Sequence, residues 1–120
     1  SNSLGMVAAL KTIEIIERDS VIKHIWNLGS KLIDEVRAII NESGLPIEIH
    51  GPPPMPFFYF KNKAENQKMV NLFYTALIRH GVLMSPHHHS YISFRHSNDD
   101  IMYTITAVKK AVEFTKNGGF

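Results

Sequence analysis

The sequence predicts an α+β fold: a small mixed or antiparallel sheet of three to four short strands covered by helices, in the order α-α-β-β-α-β-β-α, with a long helix leading into it. Three observations predict it. Apolar residues recur at helical spacing, most cleanly at Ile101, Ile105, Val108 and Val112. Short apolar runs of strand length, such as "IEIH" and "FFYFK", are bounded by Gly and Pro. No repeat, linker or low-complexity segment divides the 120 residues, so residues 1–120 read as one domain.

Residues 4–18 read as the first helix. Ala8, Ala9, Leu10, Ile13, Ile15 and Ile16 crowd it and put apolar groups on more than one face, the pattern of a helix buried on several sides. Chain starts are normally exposed and loose, so this pattern implies a cover that lies elsewhere. Asp19 and Ser20 supply a cap for a second helix reaching to about Ser43. Its stripe is Ile22, Ile25, Leu32, Val36 and Ile39, with Gly29 among them. A glycine weakens a helix, so Gly29 marks close packing. Gly44 and then Pro46 stop the helix.

Ile47 to His50 is the first strand. "GPPPMP", residues 51–56, is stiff and cannot be helical. Residues 57–61 read as a buried strand with aromatics on both faces. Asn62 and Glu65 form a capping-box-like start for a helix to about His80, which buries Met69, Phe73, Ala76 and Leu77 before Gly81 ends it. Residues 82–85 and 91–95 are two further strands, joined through Pro86 and a His triplet. Ser97 and Asp100 match an S-x-x-D capping box opening the last helix. "KNGGF" is a frayed tail.

Apolar residues are 44% and charged residues 20%, the composition of an ordinary soluble globular protein. The net charge of +2 is scattered, with no Lys/Arg block, which argues against nucleic acid as a partner. The absence of cysteine removes disulfides, thiolate zinc sites and Cys nucleophiles together, and is compatible with the cytoplasm. No run approaches the ~20 apolar residues of a membrane span. No secretory leader is expected, since the first residues lack a basic region.

The most conspicuous polar feature is "SPHHHSY", residues 85–91. In an extended segment His87 and His89 share a side and His88 opposes them. A metal would need further ligands such as His50, His96 or Asp99, and spacings like H-E-x-x-H are absent, so no metal site is expected. The loop reads either as a polar turn or as the mouth of a pocket shared with another domain. Ser85, Ser90, Ser93 and Ser97 flank these histidines, but no G-x-S-x-G elbow exists. Asp99 and Asp100 suit a helix start. Arg95, at the end of a predicted strand, offers a fork to a substrate carboxylate or serves as a surface ion pair. The proline run leads straight into an apolar strand, so it reads as an internal connection rather than a ligand for proline-binding modules. Residue by residue, the chain is a soluble α+β domain without a distinctive motif.

The ordered series of motifs says more. "SNSLGMVAALKTIEIIE" resembles the segment of class III, fold-type I pyridoxal-phosphate aminotransferases where a pattern like S-G-N-P-L-A-M-A-A-G-L-A-T-L opens a long interdomain helix. Asn2, Leu4, Met6, Ala8, Leu10 and Thr12 match, and Ser3 replaces the usual proline. "HGPPPMPFFYF", "ALIRHGVLMSP" and "ISFRHSNDDIMYTITAVKKAV" resemble the C-terminal small domain of the glutamate-1-semialdehyde aminotransferase-like branch. The matches run in order over nearly the whole chain.

The resemblance implies that residues 1–18 are an interdomain helix, 19–116 a small C-terminal domain of a larger enzyme, and 117–120 a tail. It implies pyridoxal 5'-phosphate in the full-length enzyme, a homodimer, an amino acid or keto acid substrate and a cytoplasmic location. The Schiff-base lysine, the Asp at the pyridine nitrogen and the Thr at the cofactor phosphate would all lie upstream of Ser1. No catalytic or cofactor-binding residue is then expected in this chain, Asn2 being adjacent to the phosphate-site segment. The chain would contribute substrate closure and interface. Arg95, His87 and His89 become substrate-side candidates, because in such enzymes this loop faces the active-site entrance. Semialdehyde mutases carry an acid in that loop where this chain has histidines, so transamination and aminomutation both stay open. The alternative reading is a non-enzymatic α+β ligand-binding or interaction domain.

Overall fold

The computed structural model describes residues 2–119; Ser1 and Phe120, the outer ends of the leading segment and the tail, lie outside the described residues. Along the chain come α1 (Ser3–Arg18), α2 (Val21–Ser43), β1 (Ile47–His50), β2 (Phe57–Phe60), α3 (Gln67–Arg79) and α4 (Asn98–Lys116). The α+β class stands, but the sheet has two strands, paired antiparallel with Ile47 opposite Phe60 and His50 opposite Phe57.

The two later strands do not form, and for residues 91–95 the cause is the proline run. The amide of Ser90 donates to the Pro56 carbonyl at 2.9 Å and that of Ile92 to Pro54 at 2.8 Å. This is an antiparallel register, in which each pair should also bond in the reverse direction. Pro54 and Pro56 have no N–H to return. Residues 91–95 therefore stay a loop pinned by half a ladder. Residues 82–85 also lack a strand assignment, although Val82 and Met84 pack against the core.

α2 and α4 carry most of the core. α2 buries Leu28, Gly29, Leu32, Ile33, Val36 and Ile40. The expected stripe was a partial match: Ile22 is exposed and Ile25 and Ile39 are only half-buried. Gly29 does mark close packing, because a Cβ there would run into the backbone carbonyl of Pro53. The expected cap is absent. Ser20 is left-handed (φ 50°, ψ 42°) and makes no side-chain cap bond, and the Asp19 carboxylate is held by Arg18 at 2.8 Å. α1 and α2 are thus joined by a short elbow.

β2 alternates as a strand must. Phe58 and Phe60 face inward onto fully buried Phe73, with ring centroids 4.8 and 5.6 Å away. Phe57 is half-buried and Tyr59 exposed, so only one aromatic face is covered. Asn62 adopts φ 50° and does not cap the next helix. That helix begins at Gln67, and the Asn66 side chain turns back to the carbonyls of Lys61 and Asn62 instead of capping. Its C-terminal end is a paired closure: Val82 N donates to Leu77 O, Gly81 N donates to Ile78 O, and Gly81 takes φ 80°.

α4 forms as its sequence predicts. Ser97 Oγ accepts from Asp100 N, Asp100 Oδ2 accepts from Ser97 N at 2.7 Å, and Ile101, Ile105, Val108 and Val112 are all buried. The expected frayed tail is ordered as far as Gly119, whose amide donates to Phe114 O while Gly118 donates to Thr115 O. α1 differs from the other helices: it buries no residue, and Leu4 (81%), Met6 (68%) and Leu10 (67%) are strongly exposed. No helix among the described residues is long and apolar enough to cross a membrane.

Gly29→Ala should destabilise the chain by about 1–3 kcal/mol, since the facing Pro53 carbonyl is backbone and must move. Ser97→Ala should cost about 1 kcal/mol. Urea unfolding checks both, and Gly29→Ala stability equal to the parent would refute the contact. Hydrogen bonds from the Ser97 backbone and then its side chain hold the Asp100 carboxyl below its ordinary 3.8. A depressed folded-state pKa adds stability above the ordinary value, and this is lost as pH falls through the folded one. In acid unfolding followed by circular dichroism, Asp100→Asn should therefore lose less stability than the parent below about pH 4.

Candidate functional site

β2 serves two compartments. Its inner residues build the core, and all four of its residues, with Phe57 and Tyr59 on the outer face, border an open cleft of about 670 Å3 facing the His loop. Phe57, Tyr59, Lys63 and His87 to His89 line it, and none of its lining residues is acidic. The turn after β2, with left-handed Asn62, brings Lys63 across from the loop. Lys63 Nζ lies 3.2 Å from His87 Nδ1, and the His89 ring meets the Phe57 ring edge-on at 4.6 Å. An ammonium can only donate, so Nδ1 accepts and Nε2 carries the ring proton.

Beside the cleft, His50 packs on Phe57 and Tyr59 with centroids 5.9 and 6.1 Å away. Glu48 is taken up by Lys61 at 2.8 Å and His50 at 2.7 Å. These hydrogen bonds, Lys61's first, hold the Glu48 carboxyl below its ordinary value, and Glu48 raises Lys61 in return.

Two devices hold the His loop. One is the pair of amide bonds to Pro54 and Pro56 already described. The other starts at His24 on α2, whose Nε2 lies 2.8 Å from the His96 carbonyl and must donate to it. Phe94 lies edge-on to His24 at 5.3 Å, and Ser93 N donates to His96 Nδ1 at 2.9 Å. Under the loop lies a smaller cavity of about 130 Å3, walled by Leu32, Pro56, Ile92, His96 and Ile101.

Of the sequence candidates, His87 and His89 come together in the cleft. Arg95 does not line it; it is exposed and makes no hydrogen bond or ion pair with the described residues. Asn2 is occupied as the N-cap of α1, accepting from Gly5 N at 3.0 Å. Among the described residues no three His, Asp or Glu side chains converge as a metal site. His50 is spent on Glu48, and His96 on the loop. Lys63, Tyr59 and His24 escaped the sequence reading. Lys63 sits in an unremarkable polar turn, and only the strand alternation of "FFYF" could have pointed Phe57 and Tyr59 outward.

No protein-family model matches the chain. It is 42% identical to 3-aminobutyryl-CoA aminotransferase of Cloacimonas acidaminovorans, over 96% of this chain and 28% of that protein. It is 24% identical to glutamate-1-semialdehyde 2,1-aminomutase of Archaeoglobus fulgidus, over 92% of this chain and 29% of that one. The fold superposes with a TM-score of 0.80 on the PLP internal aldimine form of the FumI protein of Sphingopyxis sp. MTA144, at 26% identity, over 90% of this chain and 26% of that one. The fold is thus one shared with part of a transaminase. More particularly, the chain matches the C-terminal portion of pyridoxal-phosphate-dependent class III aminotransferases and glutamate-1-semialdehyde aminomutases. It spans a little over a quarter of the length of the curated relatives it matches. Within it no lysine is buried and the cleft is open, so the described residues do not by themselves fit the cofactor.

His24→Ala should cost about 1 kcal/mol for the lost bond to His96. It should also speed hydrogen exchange at the amides of residues 93–97. Unchanged exchange there would show that the loop does not hang on His24.

Proposed function

We propose that this chain is the small domain of a pyridoxal-phosphate-dependent aminotransferase and acts by closing over the substrate. We propose further that the whole protein moves the amino group of a 3-aminoacyl thioester, as the name of its Cloacimonas relative describes. The observation that carries this reading is identity of 42% sustained over 96% of the chain. Transamination is favoured over aminomutation because that relative is an aminotransferase, and because the loop holds His87 to His89 in place of an acid.

When bound, pyridoxal phosphate supplies an electron sink for the carbon that carries the amine, and the protein supplies orientation and exclusion of water. In this reading the groups that hold the cofactor belong to a large domain preceding Ser1. Residues 1–18 join the two domains, 19–116 form the small one and 117–120 are its tail. The bare apolar residues of α1 support this, since Leu4, Met6 and Leu10 have no cover here. Arg95 supplies a free guanidinium that binds the carboxylate of the keto acid co-substrate, and His87 and His89 provide hydrogen bonds at the entrance. The whole protein is a cytoplasmic homodimer.

Full-length protein with pyridoxal phosphate should transfer the amine of 3-aminobutyryl-CoA to a keto acid, followed by product chromatography. Failure to bind the cofactor or to transfer any amine would overturn the reading. Arg95→Ala should raise KM for the keto acid about tenfold or more, the loss of one charge-assisted contact. An unchanged KM would remove Arg95 from the site.

A further inference from the structure

We propose that the cleft between β2 and the His loop seats the nucleotide end of coenzyme A, with Lys63 and the three histidines gripping phosphate and Phe57 and Tyr59 stacking on adenine. This rests on the thioester reading above. Its own support is the local chemistry of the cleft.

Lys63 is half-buried, yet among the described residues its ammonium meets only an imidazole nitrogen, His87 Nδ1 at 3.2 Å. The other half-buried lysine, Lys31, reaches the amide oxygen of Asn98, and exposed Lys11 and Lys61 have Glu14 and Glu48. No carboxylate lines the cleft, and Glu48 nearby is already held by Lys61 and His50. A half-buried ammonium without a counter-ion among the described residues is a vacancy for an anion. His87, His88 and His89 line the same cleft and add ring N–H donors. Phosphate suits such a cluster better than a single carboxylate, because it offers several acceptor oxygens to several donors.

The aromatic floor supplies the second half of a nucleotide site. Phe57 and Tyr59 share the outer face of β2, and Tyr59 is exposed. His89 and His50 pack against these rings, which limits their rotation. Flat bases stack on such rings without needing a specific hydrogen-bond pattern. The cleft volume of about 670 Å3 lies within the range of sites for ligands of this size, ~300–1,000 Å3. A long pantetheine arm separates the phosphates of coenzyme A from its thioester. An anion clamp therefore belongs at a distance from the reacting carbon, on the domain without the cofactor's groups.

The test uses the full-length holoenzyme and two thioesters of 3-aminobutyrate, one on coenzyme A and one on pantetheine, which has neither phosphate nor base. Calorimetry with adenosine bisphosphate probes the nucleotide alone. The parent should prefer the coenzyme A thioester. Lys63→Ala should cut that preference about tenfold, through KM, and weaken adenosine bisphosphate binding about as much. Lys63→Arg should retain most of both, and Tyr59→Ala should weaken adenosine bisphosphate more than inorganic phosphate. Equal losses on both thioesters would overturn the proposal, because Lys63 would then act at the reacting end or through the fold. A parent that accepts both thioesters equally, or that transaminates other amines and no thioester, would overturn it while leaving the aminotransferase reading intact. A protein that transfers no amine would remove that reading, and this inference with it.

Discussion

Pro52, Pro53, Pro54 and Pro56 leave residues 51–56 with carbonyls to offer and few amides to give. The segment lies across α2 at Gly29, the position where a side chain would collide with Pro53. That crossing sets where β1 ends and β2 begins. It also sets what can pair with the segment. A chain running antiparallel to it can donate but cannot accept, so Ser90 and Ile92 hang from Pro56 and Pro54 without completing a ladder. Had these positions kept their amides, the same register could have grown a third strand. The His loop would then have been a fixed strand connection. It is instead suspended at two carbonyls and at the His24 contact with His96.

The same economy governs β2. One strand of four residues floors the cleft with Phe57 and Tyr59 and fills the core with Phe58 and Phe60. Because side chains alternate, a register slip of one residue would put both sets on the wrong side. Phe73 fixes the inner set by meeting Phe58 and Phe60 edge-on. The core contact thus holds the cleft floor in place, and the geometry of the site is inherited from packing on the far side of the sheet. On the outer side, Glu48 is neutralised within its own trio by Lys61 and His50, which keeps its charge from answering Lys63.

What could be read from the sequence was local. α4 announces itself by a capping box and a regular stripe, and both formed. Gly44, Gly81 and the bounds of β1 were legible for the same reason, since a turn or a four-residue run needs only its neighbours. The errors arose where partners are remote. Residues 91–95 look like a strand until their partner proves to be proline. The apolar stripe of α2 extends in sequence to Ile22, which is exposed, because nothing in the sequence says where α2 loses its cover. Asn62 looked like a cap, but its left-handed backbone turns the chain toward the His loop and so builds the cleft. The family was legible because several soft motifs in order are jointly specific. The substrate-side residues were legible only in part, because His87 and His89 share the cleft with Lys63, which no motif marks.

α1 shows how stability is divided in such a chain. Residues 21–119 assemble their own core from α2, α3, α4 and one face of the sheet. α1 contributes no buried residue, and its elbow to α2 lacks a side-chain cap. Propensity and hydrogen bonds inside a helix of 16 residues are marginal sources of stability in water. Its apolar side chains represent free energy released only when they are covered, at about 25 cal/mol per Å2. A helix of this kind is therefore stabilised by what it docks against, while the rest of the chain is stabilised from within. Under the proposed function, that asymmetry suits a small domain that must keep its own shape while it closes on a larger partner.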